Sequence, residues 1–557
     1  MNDDEFQTAA ADAAVELLSR LYPAAAEVCA PFLRRLFAAL EDGHSFIWLT
    51  DEEAGTLAQA APLTDSKGLA PLVLRGRRLF LGRFYRLERD LAGEIRRLAV
   101  PPAEIPETAR AAELLAQWFA QAGSEGQQAA AALALLQNFI LISGGPGTGK
   151  TTTVAKLLAL LCSDDRLPRI ALVAPTGKAG ARLSQALQDA VGRLEGLPDH
   201  VAAHLQRIEG QTVHRLLGLK PPLMQPAYNE RHPLPADILL IDEASMLDNH
   251  LCLQLLKTVA DGCRVILLGD TEQLPSVGAG AVLEALTQTP PLTEAVQNAL
   301  HTYLPHRRDW QTLSQQHARL TRSHRFGENS AIGRLARAVL DGGEQVDAVL
   351  AAFPDALQQH ENDADQIARM LWQRHQAYWQ AVDDGDVQAA FAEQQKCVVL
   401  TALRHDAERI NRHYTQRLQV QRHIAPNAAW FAGQIILITR NAPAQQLYNG
   451  DVGIIMQPAQ AETGLTACFA HGESYRSVPL SRLPEHEFVQ SRFCSVGGFL
   501  HVRQKQKAQP QKHAEHDSLC AVRVDFRGSY NRRDTQRADK SAQRGTAQQN
   551  GKVFRSR

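Results

Sequence analysis

From about residue 111 onward, apolar residues fall alternately at helical spacing and in short unbroken runs. A helical pattern around Gln127–Gln137 leads into the run Phe139–Ser143, and a second helix from Lys150 to Cys162 leads into the run Arg169–Ala174. Runs that short and that uniformly apolar are strands buried on both faces, and strands alternating with helices make a parallel sheet covered by helices. Further runs at Ile238–Ile241, Arg264–Leu268, Cys397–Thr401 and Gln434–Thr439 carry the rhythm beyond what one doubly wound sheet needs. The pattern therefore predicts an α/β chain with two such lobes. Ahead of them, residues up to about 110 read as mainly helical, as in Ala13–Leu21, with two short strands turning near Arg75-Gly76. The arginines of the next helix, Arg83, Arg86 and Arg89, read as a solvated face, with nucleic-acid contact as the alternative. Pro101-Pro102 and Pro106 mark a linker.

Composition narrows the class without naming it. At 557 residues, 45% hydrophobic and 21% charged, the chain has room for several buried cores. Its eight cysteines fall singly, outside any CxxC pair, so they read as small core residues rather than zinc ligands or disulfides. No apolar run reaches membrane-spanning length and the first residues are acidic, so we expect a cytoplasmic protein with no membrane partner. A net charge of −1 decides nothing about nucleic acid, but its distribution is uneven. From Phe488 to Arg557 there are 15 Lys and Arg against 5 Asp and Glu.

Three segments carry candidate chemistry. Gly144-Gly145-Pro146-Gly147-Thr148-Gly149-Lys150-Thr151 fits GxxxxGK[ST], and it lies between a strand and a helix as that motif requires. Its glycines let backbone N–H groups close around phosphate oxygens, Lys150 reaches the β- and γ-phosphates, and the Thr151 hydroxyl can ligate magnesium. Asp237–Met246 is a buried strand that delivers Asp242 and Glu243 at its C-terminal end, where ligands of open α/β sheets bind. Asp242 would hold magnesium and Glu243 would polarise an attacking water; alone, such a pair also reads as a helix cap. Leu267–Gly280 follows the next strand, and its Gln273 is placed to sense a γ-phosphate, although alone it is a polar turn. Nothing resembles an acceptor site for kinase chemistry, which favours hydrolysis. No nuclease-like cluster of Asp, Glu and Lys is evident either.

Together with Ala174-Pro175-Thr176-Gly177-Lys178-Ala179 and Leu320-Thr321-Arg322-Ser323-His324-Arg325-Phe326, these segments resemble, in order, the helicase motifs of superfamily 1. The likeness is strongest to the RecD family, the alpha subunits of exodeoxyribonuclease V. Thr212–Gly218 and Tyr448–Gly453 are similar to the same family, and the resemblance runs from about residue 14 to 487. It implies two RecA-like P-loop lobes, ATP and Mg2+ in the cleft between them, and 5′ to 3′ travel on single-stranded DNA. The implied partners are single- and double-stranded DNA ends and the beta and gamma chains of exodeoxyribonuclease V, in double-strand-break repair and recombination.

Residue by residue, the resemblance assigns adenine to Gln127 and ATP to Gly144, Gly145, Pro146, Gly147, Thr148, Gly149, Lys150, Thr151 and Thr152. It assigns magnesium to Thr151 and Asp242, and catalysis to Lys150, Asp242, Glu243 and Gln273 on the first lobe. Arg325 is expected to come from the second lobe to the γ-phosphate, where a guanidinium suits the developing charge; alone it is equally a surface ion-pair residue. Pro175, Thr176, Lys178, Thr212 and His214 are the implied DNA contacts, each also explicable as a cap or turn residue. The expected domains are a partner-binding region at 1–110, an ATP-binding lobe at 111–318, and a second lobe at 319–487. That second lobe is expected to be incomplete and to hold an SH3-like β-barrel insertion at about 445–485.

After Glu487 the likeness stops. The family's T-x-H-K-S-Q-G segment and its later T-R-A segment have no counterpart here, and a run rich in Gln, Lys and Arg follows instead. Such composition buries too little apolar surface to offset the entropy of ordering. The abrupt change points to a shifted reading frame near residue 487, with a genuine basic DNA-binding tail as the alternative. On the first reading ATP binding survives better than DNA-coupled hydrolysis. A nucleotide-binding structural or regulatory subunit without motor activity is then the competing function.

Overall fold

A computed structural model describes residues 3–502 except 42, 103–106, 163–166, 221–223, 274–277, 281, 328, 355, 359–362, 402–403, 427, 443–444, 446, 458–463, 472–473, 489–490 and 494–500. The changed sequence after residue 487 therefore lies almost entirely outside the described residues. The described parts form two compact units, one comprising Met1–Val346, Leu437–Asp451 and Pro484–His486, the other Asp347–Ile436, Val452–Leu483 and Glu487–Arg557.

The first unit begins with helices α1 (Asp3–Leu21), α2 (Pro23–Glu41) and α3 (Asp51–Ala58). They enclose one face of a small sheet of β1 (Phe46–Trp48), β2 (Thr64–Asp65), β3 (Leu72–Arg75) and β4 (Arg78–Leu81), in the order β1-β4-β3-β2. The expected turn at Arg75-Gly76 joins β3 to β4, with Gly76 at φ +59°. Leu33, Leu36, Leu57, Leu63, Leu72 and Leu79 form the core between them. Helix α4 (Gly82–Leu98) then carries Leu91 and Leu98 into the apolar layer around Cys252, Leu255 and Leu256 of helix Asn249–Lys257. Arg97 fastens the junction by donating to the carbonyls of Leu256 (3.1 Å) and Val259 (2.9 Å). Of the helix's other arginines, Arg86 donates to the Gly68 carbonyl and Arg89 pairs with Asp90.

The main sheet of this unit comprises β5 (Phe139–Gly144), β6 (Ile170–Ala174), β7 (Gly210–Thr212), β8 (Ile238–Ile241), β9 (Arg264–Gly269), β10 (Leu313–Ser314) and β11 (His317–Leu320). Their order is β10-β11-β5-β9-β8-β6-β7, parallel throughout except for the β10–β11 pair. Every residue of β5, β8 and β9 is buried, which is why these strands read as unbroken apolar runs rather than alternating ones. Helices α5 (Thr108–Trp118), α6 (Glu125–Leu135), α7 (Lys150–Leu161) and α8 (Gly177–Val191) supply one apolar layer.

In the second unit, helices Ala364–Arg374, Gln376–Asp383, Val387–Lys396 and Arg404–Gln421 accompany the strand Val399–Thr401, which pairs in parallel with Ser491–Phe493. Strands Val452–Met456, Thr466–His471 and Ser474–Pro479 form an antiparallel meander where the β insertion was expected. The turn preceding it, through Asp451, groups with the first unit instead. The architecture is α/β, with the parallel pairing and covering helices of a two-lobed RecA-like chain. Cys29, Cys162, Cys252, Cys263, Cys397 and Cys468 are free and buried, as their scattered positions suggested. Among the described residues no helix is long and apolar enough to cross a membrane.

A buried polar chain holds the second unit's helices. His375 Nε2 faces the Cys397 carbonyl at 3.2 Å and must donate to it, so in the neutral ring Nδ1 accepts from the Tyr414 hydroxyl at 2.9 Å. That hydroxyl in turn accepts from Trp379 Nε1 at 3.1 Å. Burial pushes the His375 pKa down to about 4 from the ordinary 6.5. The unfolded chain therefore binds the extra proton first, and the stability this group contributes is complete above about pH 6.5 and lost as pH falls toward 4. We expect the second unit to lose about 2 kcal/mol between pH 6.5 and pH 5, read as a shift in urea midpoint. Tyr414→Phe strands the Trp379 and His375 nitrogens and should cost about 1–3 kcal/mol in the same measurement.

Candidate functional site

Parallel register brings the candidate residues to one edge of the main sheet. Leu320 of β11 pairs with Gly144 of β5, Ser143 with Gly269 of β9, Leu267 with Ile241 of β8, and Val173 of β6 with Ile241. The segments that follow β5, β6, β8, β9 and β11 therefore all leave the sheet on the side where open α/β sheets bind ligands.

After β5 the chain turns through Gly147 (φ +75°) and Gly149 (φ +78°) into α7, which opens at Lys150. These glycines are needed for close approach as well as for backbone conformation. A Cβ on Gly147 would lie 2.4 Å from the Cβ of Arg325, and one on Gly149 would lie 2.2 Å from Gln127 Nε2. The carbonyls of five consecutive residues accept from donors around the loop. Lys150 Nζ donates to Gly144 (2.5 Å) and Gly145 (3.2 Å), and the Thr148 hydroxyl also donates to Gly145 (2.9 Å). Ser323 Oγ donates to Pro146 (3.1 Å), the His324 N–H to Gly147 (2.8 Å), and Gln127 Nε2 to Thr148 (2.9 Å). With the carbonyls held this way, the loop leads into a helix whose first N–H groups have no intrahelical acceptor, an arrangement suited to anionic phosphate. Thr151 is half-buried and Thr152 exposed on the first turn.

Asp242 and Glu243 follow β8. Burial, then the neighbouring Glu243 charge, push the Asp242 pKa up to about 6 against the opposing pull of the Glu243 N–H and Lys150. A carboxylate so short of positive charge fits a divalent cation, and Thr151 and Asp242 are the oxygen donors that would hold one. Glu243 has φ +51°, a left-handed conformation rare for this residue type and a form of strain that clusters at functional sites. After β9, Gln273 is exposed and its amide donates to Asp270 at 3.2 Å, while Asp270 is buried and caps Glu272 N–H.

One expectation changes. Arg325 was placed on the second lobe, but it lies in the first unit, against Gly147 of the phosphate loop. The reason is β11, an added parallel strand beside β5 that extends the first sheet through Leu320 and delivers the next residues directly onto the loop.

The DNA candidates divide. Pro175–Lys178 follow β6, while Thr212 ends β7 and His214 lies just beyond it, the two neighbouring strands being joined at Ala174 and Thr212. Thr176 and Thr212 cap helices through their hydroxyls, accepting from Ala179 N (3.2 Å) and Arg215 N (3.1 Å). Lys178 Nζ donates to the Gly450 carbonyl at 2.8 Å and lies 4.0 Å from Asp451. His214 is exposed. Sequence reasoning missed Ser323 and His324, which it quoted in a motif but did not single out. It also missed the Ser143–His317 hydrogen bond (2.7 Å), which joins β5 to β11 just beneath the loop.

An AAA-domain family profile matches residues 127–279. The chain is similar to the RecBCD enzyme subunit RecD of Mycolicibacterium smegmatis, at 35% identity over 69% of this chain and 66% of that protein. To the subunit of the same name from Mycobacterium tuberculosis it is 32% identical, over 74% of this chain and 68% of that one. A shorter likeness, 38% identity over 40% of this chain and 27% of the other, is to the ATP-dependent RecD2 DNA helicase of Deinococcus radiodurans. Among solved structures, Bacteroides Pif1 bound to single-stranded DNA aligns over 67% of this chain and 83% of that one, at 14% identity and TM-score 0.34. The chain thus spans about two thirds of the length of the curated relatives it matches.

Because Gly149 has both a positive φ and an immediate neighbour in Gln127, Gly149→Ala is expected to lower affinity for a fluorescent nucleoside triphosphate by at least about tenfold. Equilibrium titration checks this, and the unfolding midpoint of the second unit should not move.

Proposed function

Since the chain belongs to the RecD family of superfamily 1 helicases, we propose that it is the ATP-driven motor subunit of an exodeoxyribonuclease V assembly. In this reading it moves 5′ to 3′ on single-stranded DNA during double-strand-break repair and recombination in the cytoplasm. The observation that carries the reading is the convergence of the loop 144–151, Asp242-Glu243, Gln273 and Arg325 at one sheet edge within one unit.

The roles follow from position. The loop amides and Lys150 bind the β- and γ-phosphates, and Thr151 and Asp242 hold Mg2+, which neutralises phosphate charge when bound. Glu243 orients and deprotonates the attacking water. Gln273, on its tether to Asp270, and Arg325, beside Gly147, are the groups that respond to the γ-phosphate. Gln127 reads the base. For DNA, backbone and hydroxyl contacts suit a motor that ignores sequence, and Pro175, Thr176, Lys178, Thr212 and His214 provide that track. Lys178 must exchange Gly450 and Asp451 for a phosphate to take part. Residues 1–110 would dock on the beta and gamma chains, with the ATP-binding lobe running from about 111 through the segment that carries Arg325 and the second lobe following it.

The experiment is steady-state ATP hydrolysis with and without single-stranded DNA, by the chain and by Lys150→Gln. The motor reading expects DNA-stimulated turnover that falls by about a hundredfold or more in the variant, the scale of losing a phosphate-clamping charge. Tight ATP binding without stimulated turnover would instead make the chain a nucleotide-binding structural or regulatory subunit. Neither binding nor turnover would sink both readings.

A further inference from the structure

The small sheet of β1 to β4 has two unlike faces. Leu72 and Leu79 lie in the core beneath α2 and α3. The residues alternating with them, Val73 and Arg75 on β3 and Arg78 and Phe80 on β4, share the opposite face with Phe46 and Trp48 of β1. Register sorts that face into two rows. Phe46, Phe80 and Val73 form one, in which Phe80 packs edge-on against Tyr85 of α4, with ring centroids 5.6 Å apart. Trp48, Arg78 and Arg75 form the other, and all three are exposed, Trp48 to 65%.

The second row does nothing for the fold. Two arginines directly opposite each other on an antiparallel pair repel, and among the described residues neither Arg75 nor Arg78 has a carboxylate partner. The acids at the start of α3 are engaged elsewhere, Glu53 by Arg35 at 2.6 Å and Asp51 by Arg77 at 3.6 Å. The row is nonetheless held in place. Arg78 lies over the rings of Phe46 (5.7 Å) and Phe80 (6.0 Å), and Trp48 meets Phe46 edge to face at 5.5 Å. Arg35 donates to the Trp48 carbonyl and Arg75 to that of Ser66, each at 3.3 Å. A fixed, exposed indole beside two guanidiniums without carboxylates offers a stacking platform and a pair of anion contacts together. A single strand of nucleic acid satisfies both, because its bases are free to stack and its phosphates carry the charge. A duplex keeps its bases on one another and cannot use the indole.

We infer that Trp48, Arg78 and Arg75 form a second binding site for single-stranded nucleic acid, in which Trp48 stacks a base and the two arginines hold neighbouring phosphates. The site goes beyond the motor reading, since it needs no nucleotide and uses none of the residues from Pro175 to His214. A polyanion there relieves the repulsion between Arg75 and Arg78, so the cost the row imposes on the free protein is recovered on binding.

The test is binding of a fluorescent oligothymidylate to the full chain without nucleotide, followed by anisotropy across a series of salt concentrations. Trp48→Ala should weaken binding about tenfold, and Trp48→Phe, which keeps a stacking ring, should restore most of it. Arg75→Gln combined with Arg78→Gln should lower the slope of log affinity against log salt by about 1.4, two phosphates at about 0.7 each. An oligonucleotide carrying 5-iodouracil should cross-link to Trp48 on irradiation, as located by peptide mass. Affinity and salt slope that do not change in these variants, with cross-links confined to residues 175–214, overturn the inference and leave the face to a protein partner. An equal loss in Trp48→Ala for a duplex of the same length also overturns it, because stacking would then not be what the indole supplies. No turnover is measured, so a chain that binds DNA here without DNA-stimulated ATP hydrolysis fails the motor reading and supports this one.

Discussion

A loop that presents its N–H groups to an anion must dispose of its carbonyls, and the rest of this site is arranged around that constraint. Five successive carbonyls, from Gly144 to Thr148, accept from side chains or backbone brought in by three separate elements. One donor, Lys150, comes from the helix the loop opens, one from α6, and two from the segment after β11. An unpaired buried carbonyl costs about 1–3 kcal/mol, a cost that bears on Gly144 and Thr148, the two buried residues of the five, and so on Lys150 and Gln127 as their donors. The parallel register of β11 on β5, reinforced by the Ser143–His317 bond beneath the loop, is what brings the segment after β11 to the loop.

The same edge concentrates cost. Asp242 lies half-buried beside Glu243, with Lys150 the opposing charge, and Glu243 adopts a backbone conformation that its side chain disfavours. Neither feature helps the fold. Both are tolerated because β8 is buried along its length and locks the strand end in position, so packing elsewhere offsets the local strain. A site that attracts a divalent cation and a polyphosphate is one where an excess of aligned N–H groups and an excess of carboxylate can be relieved together on binding.

Much of this was legible in the chain. Fully buried strands announce themselves as unbroken apolar runs, so β5, β8 and β9 were placed to within a residue, and the glycine pattern located the loop between strand and helix. The antiparallel pair at β3 and β4 followed from a Gly turn between apolar runs. What the sequence hid is long-range pairing. Nothing in His317–Leu320 says that it adds to the first sheet rather than beginning a second, so Arg325 was assigned to the wrong lobe. His324 was invisible for a related reason, since the partner it meets, Gln127, is nearly two hundred positions away.

The candidate DNA track shows how local chemistry and the reading of a motif pull apart. Thr176 and Thr212 cap their helices, which fixes the two turns at adjacent strand ends but commits one lone pair of each hydroxyl. A hydroxyl keeps its O–H and a second lone pair when it caps, so capping and phosphate contact are compatible, and the cap pre-sets the hydroxyl for the contact. Lys178 differs, because its ammonium is held by a carbonyl and lies within ion-pair range of the Asp451 carboxylate. Asp451 also accepts from Tyr448 N–H, and the Tyr448 ring lies against Gly177, so the turn that engages the lysine is itself anchored to the track. Recruiting Lys178 to a phosphate therefore requires the turn at 448–451 to give up a contact, which couples the electrostatics of the track to the position of that turn.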